Sequence, residues 1–307
     1  MANISVYGEI STLRRPLTLG ERVDAARRGT LLAAGLVILL VLLLLGYITW
    51  NGVQVFTASG FTLPQVFNTV WNPDSSTNVS FGIIPFILGT LGVMIVAAII
   101  AAPLSIGLAL FMAEIAPDWA RSITRPAMEV FVGIPSVVYG WLGLTILVPF
   151  LAQNFAGIGF TVGFSWFAGS LVLALMILPT ITSISYDVFL AIPGELRAAT
   201  LALGTTRWQT IAHILIPAGS TGLISAVVLG MMRAAGEALA VQMVIGNAPV
   251  IPSSLTKPVT TLTSQITLDM GNTTAGSAWN QVLWTMGLVL LVISFAFVVV
   301  VRRMARG

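Results

Sequence analysis

Apolar residues in this chain run together in six long blocks: Leu31 to Ile48, Ile83 to Met112, Ala127 to Leu151, Phe167 to Leu190, Thr221 to Ile245 and Val282 to Val301. A block of about 20 apolar residues matches a helix that crosses a bilayer. In lipid the backbone has no water to bond, so it closes its own helical hydrogen bonds. The pattern predicts an all-α integral membrane protein with six transmembrane helices. Its boundaries are 1–29 for an N-terminal segment, 30–50 for the first transmembrane helix, 51–80 for a loop and 81–303 for a five-helix core that includes a loop at 191–217.

The charges orient these blocks, because Lys and Arg near span ends stay on the cytoplasmic side. One side collects Arg14, Arg15, Arg22, Arg27 and Arg28, then Arg121 and Arg125, Arg197 and Arg207, and Arg302, Arg303 and Arg306. The opposite loops hold only Lys257. Both ends of the six-span chain are therefore expected in the cytosol, with 51–80 outside and 191–217 inside. The arginines ahead of Leu31 resemble the start of a secretory signal peptide. The apolar run that follows is too long for one and lacks a small-x-small exit, so it is expected as an uncleaved span.

Composition removes several function classes. Hydrophobic residues make up 57% and charged residues 8%, where soluble domains carry about 25% charged. With no cysteine there is no disulfide framework, thiolate metal site or Cys nucleophile. His213 stands alone, so a multi-His metal site is excluded. The single lysine, Lys257, has no Gly-rich lead-in, so the chain has no P-loop of its own.

The polar stretches differ in kind. Asn51 to Ser80 holds a turn cluster at Asn72-Pro73-Asp74-Ser75-Ser76, Asn154 to Ser165 is short and Gly-rich, and Asn247 to Asn280 is expected to hold a short helix around Thr260 to Asp269. Ala191 to Pro217 is patterned as two short helices. Pro193 and Glu195 suit a first turn, Gly204 suits a left-handed stop, Thr206 and Gln209 have capping-box spacing, and Pro217 is expected to end the second helix. Two readings stay open for this loop: a knob that passes on a push from a cytosolic partner, or an amphipathic linker lying on the membrane.

Within the fifth block, Arg233 and Glu237 are four residues apart, which places them on one helical face within reach of each other. Each charge costs roughly 2.5 to 3.5 kcal/mol at mid-membrane, and about a dozen apolar residues at roughly 0.3 to 0.6 kcal/mol return a similar sum. Such a helix should face protein or a water-filled path. The Arg fork matches two oxygens of an oxyanion, and Glu237 would neutralise it when the path is empty. The alternative is an ion pair that only fixes helix packing. Ser136, Tyr139 and Thr90 either line a path or bridge helices, Glu129 is expected at the interface, and His213 reads as a surface residue.

The 191–217 loop resembles the EAA loop of type I ABC importer permeases. Ala198-Ala199-Thr200, Gly204, Ile214-Leu215 and Ile216-Pro217 occupy the motif places. Ala198 stands where a glutamate is usual, so the anchoring role of that acid is lost or taken by Glu195. Two further stretches narrow the resemblance. Gly133-Ile134-Pro135-Ser136-Val137-Val138-Tyr139-Gly140 resembles a stretch of phosphate importer permeases, and Gly236 to Asn247 is similar to the PstC-type rather than the PstA-type subunit. The likeness runs from about Phe81 onward.

The resemblance implies the type I ABC importer permease fold in a bacterial plasma (inner) membrane and alternating-access import of inorganic phosphate, with no catalysis by this chain. It also implies ATPase coupling through Glu195, Ala199, Leu203, Gly204, Thr205 and Arg207. The substrate pathway would include Arg233, Glu237, Ser136 and Tyr139, the first two being regarded as important for transport in that family. Expected partners are a PstA-type permease, a PstB-type ATP-binding dimer and a PstS-type extracytoplasmic phosphate-binding protein. ATP and Mg would be bound by the ATPase, and this chain would bind no cofactor. Rival readings are a permease for molybdate or sulfate, and an ion-coupled secondary carrier that uses Glu237 as a proton site. The EAA-like loop separates the last from the rest, because a secondary carrier has no ATPase to dock.

Overall fold

The computed structural model describes residues 19–75 and 78–304. Arg14, Arg15, Arg306 and the rest of the segment 1–18 lie outside the described residues. The chain divides into two compact units, residues 1–50 and 51–307. Helix α1 (Leu19–Thr57) begins in the first unit and continues past residue 50 into the second. From Arg27 to Trp50 its side chains are exposed or half-buried. An apolar helix open on every side has lipid as its solvent.

In the second unit, α2 (Leu63–Val66) leads into a short antiparallel hairpin, β1 (Trp71–Asn72) and β2 (Ser80–Phe81), with Trp71 opposite Phe81. The long helices follow: α3 (Ile84–Leu110), α4 (Asp118–Gly133), α5 (Ser136–Leu142), α6 (Val148–Asn154) and α7 (Trp166–Ala191). After them come α8 (Gly194–Ala202), α9 (Arg207–Thr210), α10 (Ile216–Ala235), α11 (Leu239–Ile245), α12 (Leu262–Asp269) and α13 (Ala278–Met304). Among the described residues, six helical stretches are long and apolar enough to cross a membrane.

Three expectations are corrected. The third span is not Ala127 to Leu151. Pro135 lacks a donor and forces Ile134 into extended backbone, φ −67° and ψ 127°, so α4 stops at Gly133 and the span runs over Ser136–Asn154. The fifth span is not one helix to Ile245, because α10 ends at Ala235 and α11 begins at Leu239. Pro217 does not end the second loop helix. It sits in the first turn of α10, which continues α9 through a π-helical turn at Ile211–Leu215. A π-helical turn at Gly143–Leu147 likewise precedes Pro149 in α6. A proline cannot donate to the carbonyl four residues back, and the widened turn breaks the ladder where that donor is missing.

The core of this unit is α3 against α7 and α10, with Val93, Met94, Ala97, Ile177, Ile181 and Ala226 buried together. Small residues let these backbones approach, since apolar burial gives no driving force between helices in lipid. A Cβ on Gly89 would collide with the Thr260 carbonyl, one on Gly92 with the Trp166 ring, and one on Gly230 would meet Ile181 Cγ1 at 2.5 Å.

Candidate functional site

The helices that follow the two breaks in the spans pack on each other. Helix α5, which follows the break at Pro135, packs on α11, which follows the break at Gly236. A Cβ on Gly140 would sit 2.8 Å from both Ala240 Cα and Met243 Sδ, so glycine sets that approach. Tyr139 packs against the cluster that contains Ala240 and Val244. Interrupted helices leave backbone groups that helical bonds cannot satisfy. Within a membrane such groups are tolerated where protein or a water-filled cavity meets them.

The side chains at this junction are arranged differently from the sequence expectation. Arg233 is exposed, and its Nη1 donates to Thr180 Oγ1 on α7 at 2.7 Å. Glu237 is half-buried in the break, where Oε1 accepts from Ala240 N–H at 3.3 Å and its carbonyl accepts from Thr263 Oγ1 at 2.8 Å. Among the described residues Arg233 and Glu237 form no ion pair. The i,i+4 geometry needs a continuous helix, and α10 stops between them. Glu237 instead serves the open start of α11, whose first N–H groups have no partner inside the helix.

Of the other residues singled out, Ser136 is half-buried at the start of α5, and Tyr139 donates to the Phe131 carbonyl at 2.9 Å across the Pro135 break. Thr90 is a helix bridge: its Oγ1 donates to Phe86 O and accepts from Leu262 N–H, which ties α3 to α12. Glu129 is exposed, 3.9 Å from Arg125. Thr180 and Thr263 had no sequence signal, since their partners lie in other elements and no spacing links them.

The second cluster is the cytoplasmic turn between α8 and α9. Gly204 has φ +82°, the left-handed stop that its position after α8 suggested. Thr206 and Gln209 form a full capping box at the start of α9. Thr210 Oγ1 meets Thr200 Oγ1 at 3.2 Å and Thr205 Oγ1 at 3.1 Å, so the two helices are stitched by hydroxyls. Around the turn Leu203 is 84% and Trp208 69% exposed, and Glu195, Ala199 and Arg207 are also exposed. Large apolar side chains grouped at a polar turn mark a contact with a protein or with the membrane surface. Beside it, a cavity of about 480 Å³ opens among Glu114, Arg197, Leu201, Arg207 and Trp208.

Outside the six spans, Asp269 at the end of α12 borders a cavity of about 500 Å³ with Trp71, Asp74, Asn247 and Trp279. Burial pushes its carboxyl above the usual carboxylate range. Hydrogen bonds from Gln265 and Trp279 oppose that shift, and the charge of Asp74 adds to it.

The described helices thus form a membrane bundle with two broken spans and a hydroxyl-stitched helical turn between α8 and α9. Residues 105–307 match the family of binding-protein-dependent transport system inner membrane components, and the chain belongs to that family. It is thus a multi-pass bacterial inner-membrane protein and a transport component. It is 52% identical over 256 residues to the probable ABC transporter permease protein YqgH of Bacillus subtilis, covering 83% of this chain and 82% of that one. To the phosphate transport system permease protein PstC of Xylella fastidiosa it is 34% identical over 271 residues, again covering 83% and 82%. Its fold is that of a chain in the crystal structure of a bacterial alginate ABC transporter, with TM-score 0.61, 17% identity and coverage of 92% and 96%.

Proposed function

We propose that this chain is the permease subunit of an ATP-driven importer that moves inorganic phosphate by alternating access. The observation that carries the proposal is the similarity to PstC, which spans both breaks and the cytoplasmic turn rather than one motif. The chemistry agrees with it. Arg233 offers a planar fork for two phosphate oxygens, and its hydroxyl partner Thr180 is a further donor once the arginine moves to the anion.

In this proposal a PstA-type permease completes the path, and a PstB-type dimer binds ATP and Mg and hydrolyses the nucleotide. A PstS-type protein delivers phosphate from outside, and this chain binds no cofactor. The ATPase docks on the turn at Gly204, with Glu195, Ala199, Leu203, Thr205 and Arg207 around it. The test is uptake of radiolabelled phosphate by the assembled transporter in proteoliposomes with ATP inside. Uptake that needs ATP and is competed by excess phosphate but not by molybdate or sulfate is expected. Uptake driven by a proton gradient without ATP would sink the proposal.

A further inference from the structure

One side chain of helix α8, Arg197, reaches the ends of both α3 and α7. Arg197 Nε donates to Glu114 Oε1 at 2.9 Å, and Nη2 lies 2.8 Å from the same oxygen. Nη1 donates to the Ile192 carbonyl at 2.6 Å, and Nη2 to the Phe189 carbonyl at 2.7 Å. Glu114 belongs to the π-helical turn Phe111–Ile115 that ends α3, and Phe189 to the last turn of α7. The pair is sheltered, with the arginine side chain 24% and the glutamate 15% exposed.

We propose that Arg197 and Glu114 form a clamp that carries motion of the cytoplasmic turn into α3 and α7. The turn has two ways out. One runs through covalent helix, because α9 passes without a gap into α10. The other leaves α8, which joins α7 through the short link Ile192-Pro193 and has no continuous helix to carry a displacement. Arg197 supplies the missing stiffness. It fastens α8 to the Phe189 and Ile192 carbonyls at the end of α7, and at the same time to Glu114 at the end of α3. The threonine stitching of α8 to α9 makes one displaced body of the turn. A push there then shifts α3, α7 and α10 together, the three helices that share the core. Arg197 and Glu114 are positioning residues and need not touch the cargo.

The inference rests on the coupling role proposed for the turn. Its test is the ratio of labelled phosphate imported to ADP formed, measured on the assembled transporter in proteoliposomes. Glu114→Gln should leave the ATPase bound and hydrolysing while the ratio falls about tenfold, a coupling loss of ordinary size. An unchanged ratio in the assembled complex overturns the clamp. The chain has no cysteine, so in a Glu114→Cys, Arg197→Cys variant the two introduced thiols are its only ones, and a short bis-methanethiosulfonate bridges them by forming a disulfide with each and releasing two methanesulfinates. Bridging should restore the ratio that the unbridged variant loses, and failure to restore it also overturns the clamp. If the coupling role of the turn is itself wrong, Gly204→Trp retains ATPase and full uptake. If only the phosphate reading is wrong, the unmodified transporter shows no labelled uptake.

Discussion

Arg233 on α10 donates to the Thr180 hydroxyl on α7 at 2.7 Å, and this bond holds the exposed guanidinium across two helices. A neutral partner leaves the positive charge uncompensated, which suits a site that must attract an anion. Arg233→Gln should lower phosphate uptake per folded complex sharply, and Arg233→Lys should recover part of it, because an ammonium lacks the planar fork. Because Arg233 and Glu237 have no ion pair, combining Arg233→Gln with Glu237→Gln should not restore uptake. Recovery to the unmodified rate in the double variant would show that the two groups balance each other.

Gly204 separates backbone requirement from docking. Its φ of +82° costs a non-glycine residue about 1 to 2 kcal/mol, while a Cβ there has nothing within 4 Å. Gly204→Asn should keep most uptake, since Asn visits this region more readily, and Gly204→Ala should lose more. Gly204→Trp should abolish ATPase association while the subunit still inserts. Co-purification of the ATPase with each variant gives the order, and equal retention by all three would remove the turn from the docking surface.

The long apolar blocks made α3, α7 and α13 legible, because a helix in lipid announces itself by length alone. The capping box at Thr206 and the left-handed Gly204 were legible too, as local chemistry acts over a few residues. What the blocks concealed were the interruptions. Pro135 and Gly236 lie within apolar runs, and the hydropathy that marks a span does not record where its hydrogen-bond ladder stops. Pro217 misled in the opposite direction, since a π-helical turn absorbed it. Arg197 and Glu114 are 83 positions apart, and no sequence period connects them. Their pairing depends on where α3 and α7 end.

Asp269 gives the outer cavity a pH signature. Its folded-state pKa is raised, chiefly by burial. A group of that kind contributes stability that is fully present below its unfolded pKa and is lost as pH rises through the folded pKa. The unmodified protein should therefore lose thermal stability relative to Asp269→Asn as pH climbs from about 4 towards 7. The amide keeps an oxygen to accept from Trp279 without the buried charge. Melting temperatures of both proteins in detergent over that range test the sign, and an unmodified protein that gains stability on Asp269→Asn with rising pH contradicts it.

Close backbone approach at Gly89 can be tested against a glycine that has room. A Cβ at Gly89 would strike the carbonyl of Thr260, a backbone atom that moves only if the segment ahead of α12 moves, and that segment is pinned by Thr90 Oγ1 accepting from Leu262 N–H at 2.9 Å. Overpacking of this kind costs about 1 to 3 kcal/mol. Gly107, in the same helix, has nothing within 4 Å of its added Cβ, and alanine there removes helix-interior glycine at a gain of about 0.5 to 1 kcal/mol. Gly89→Ala should therefore lower the yield of folded protein and its melting temperature, while Gly107→Ala leaves both unchanged or raises them. The comparison controls for helix propensity, since both positions lie inside α3, so the difference between the two variants reports the contact with Thr260 alone. Equal melting temperatures would mean that the Thr260 segment yields freely and that α3 and α12 are not held in register by this contact.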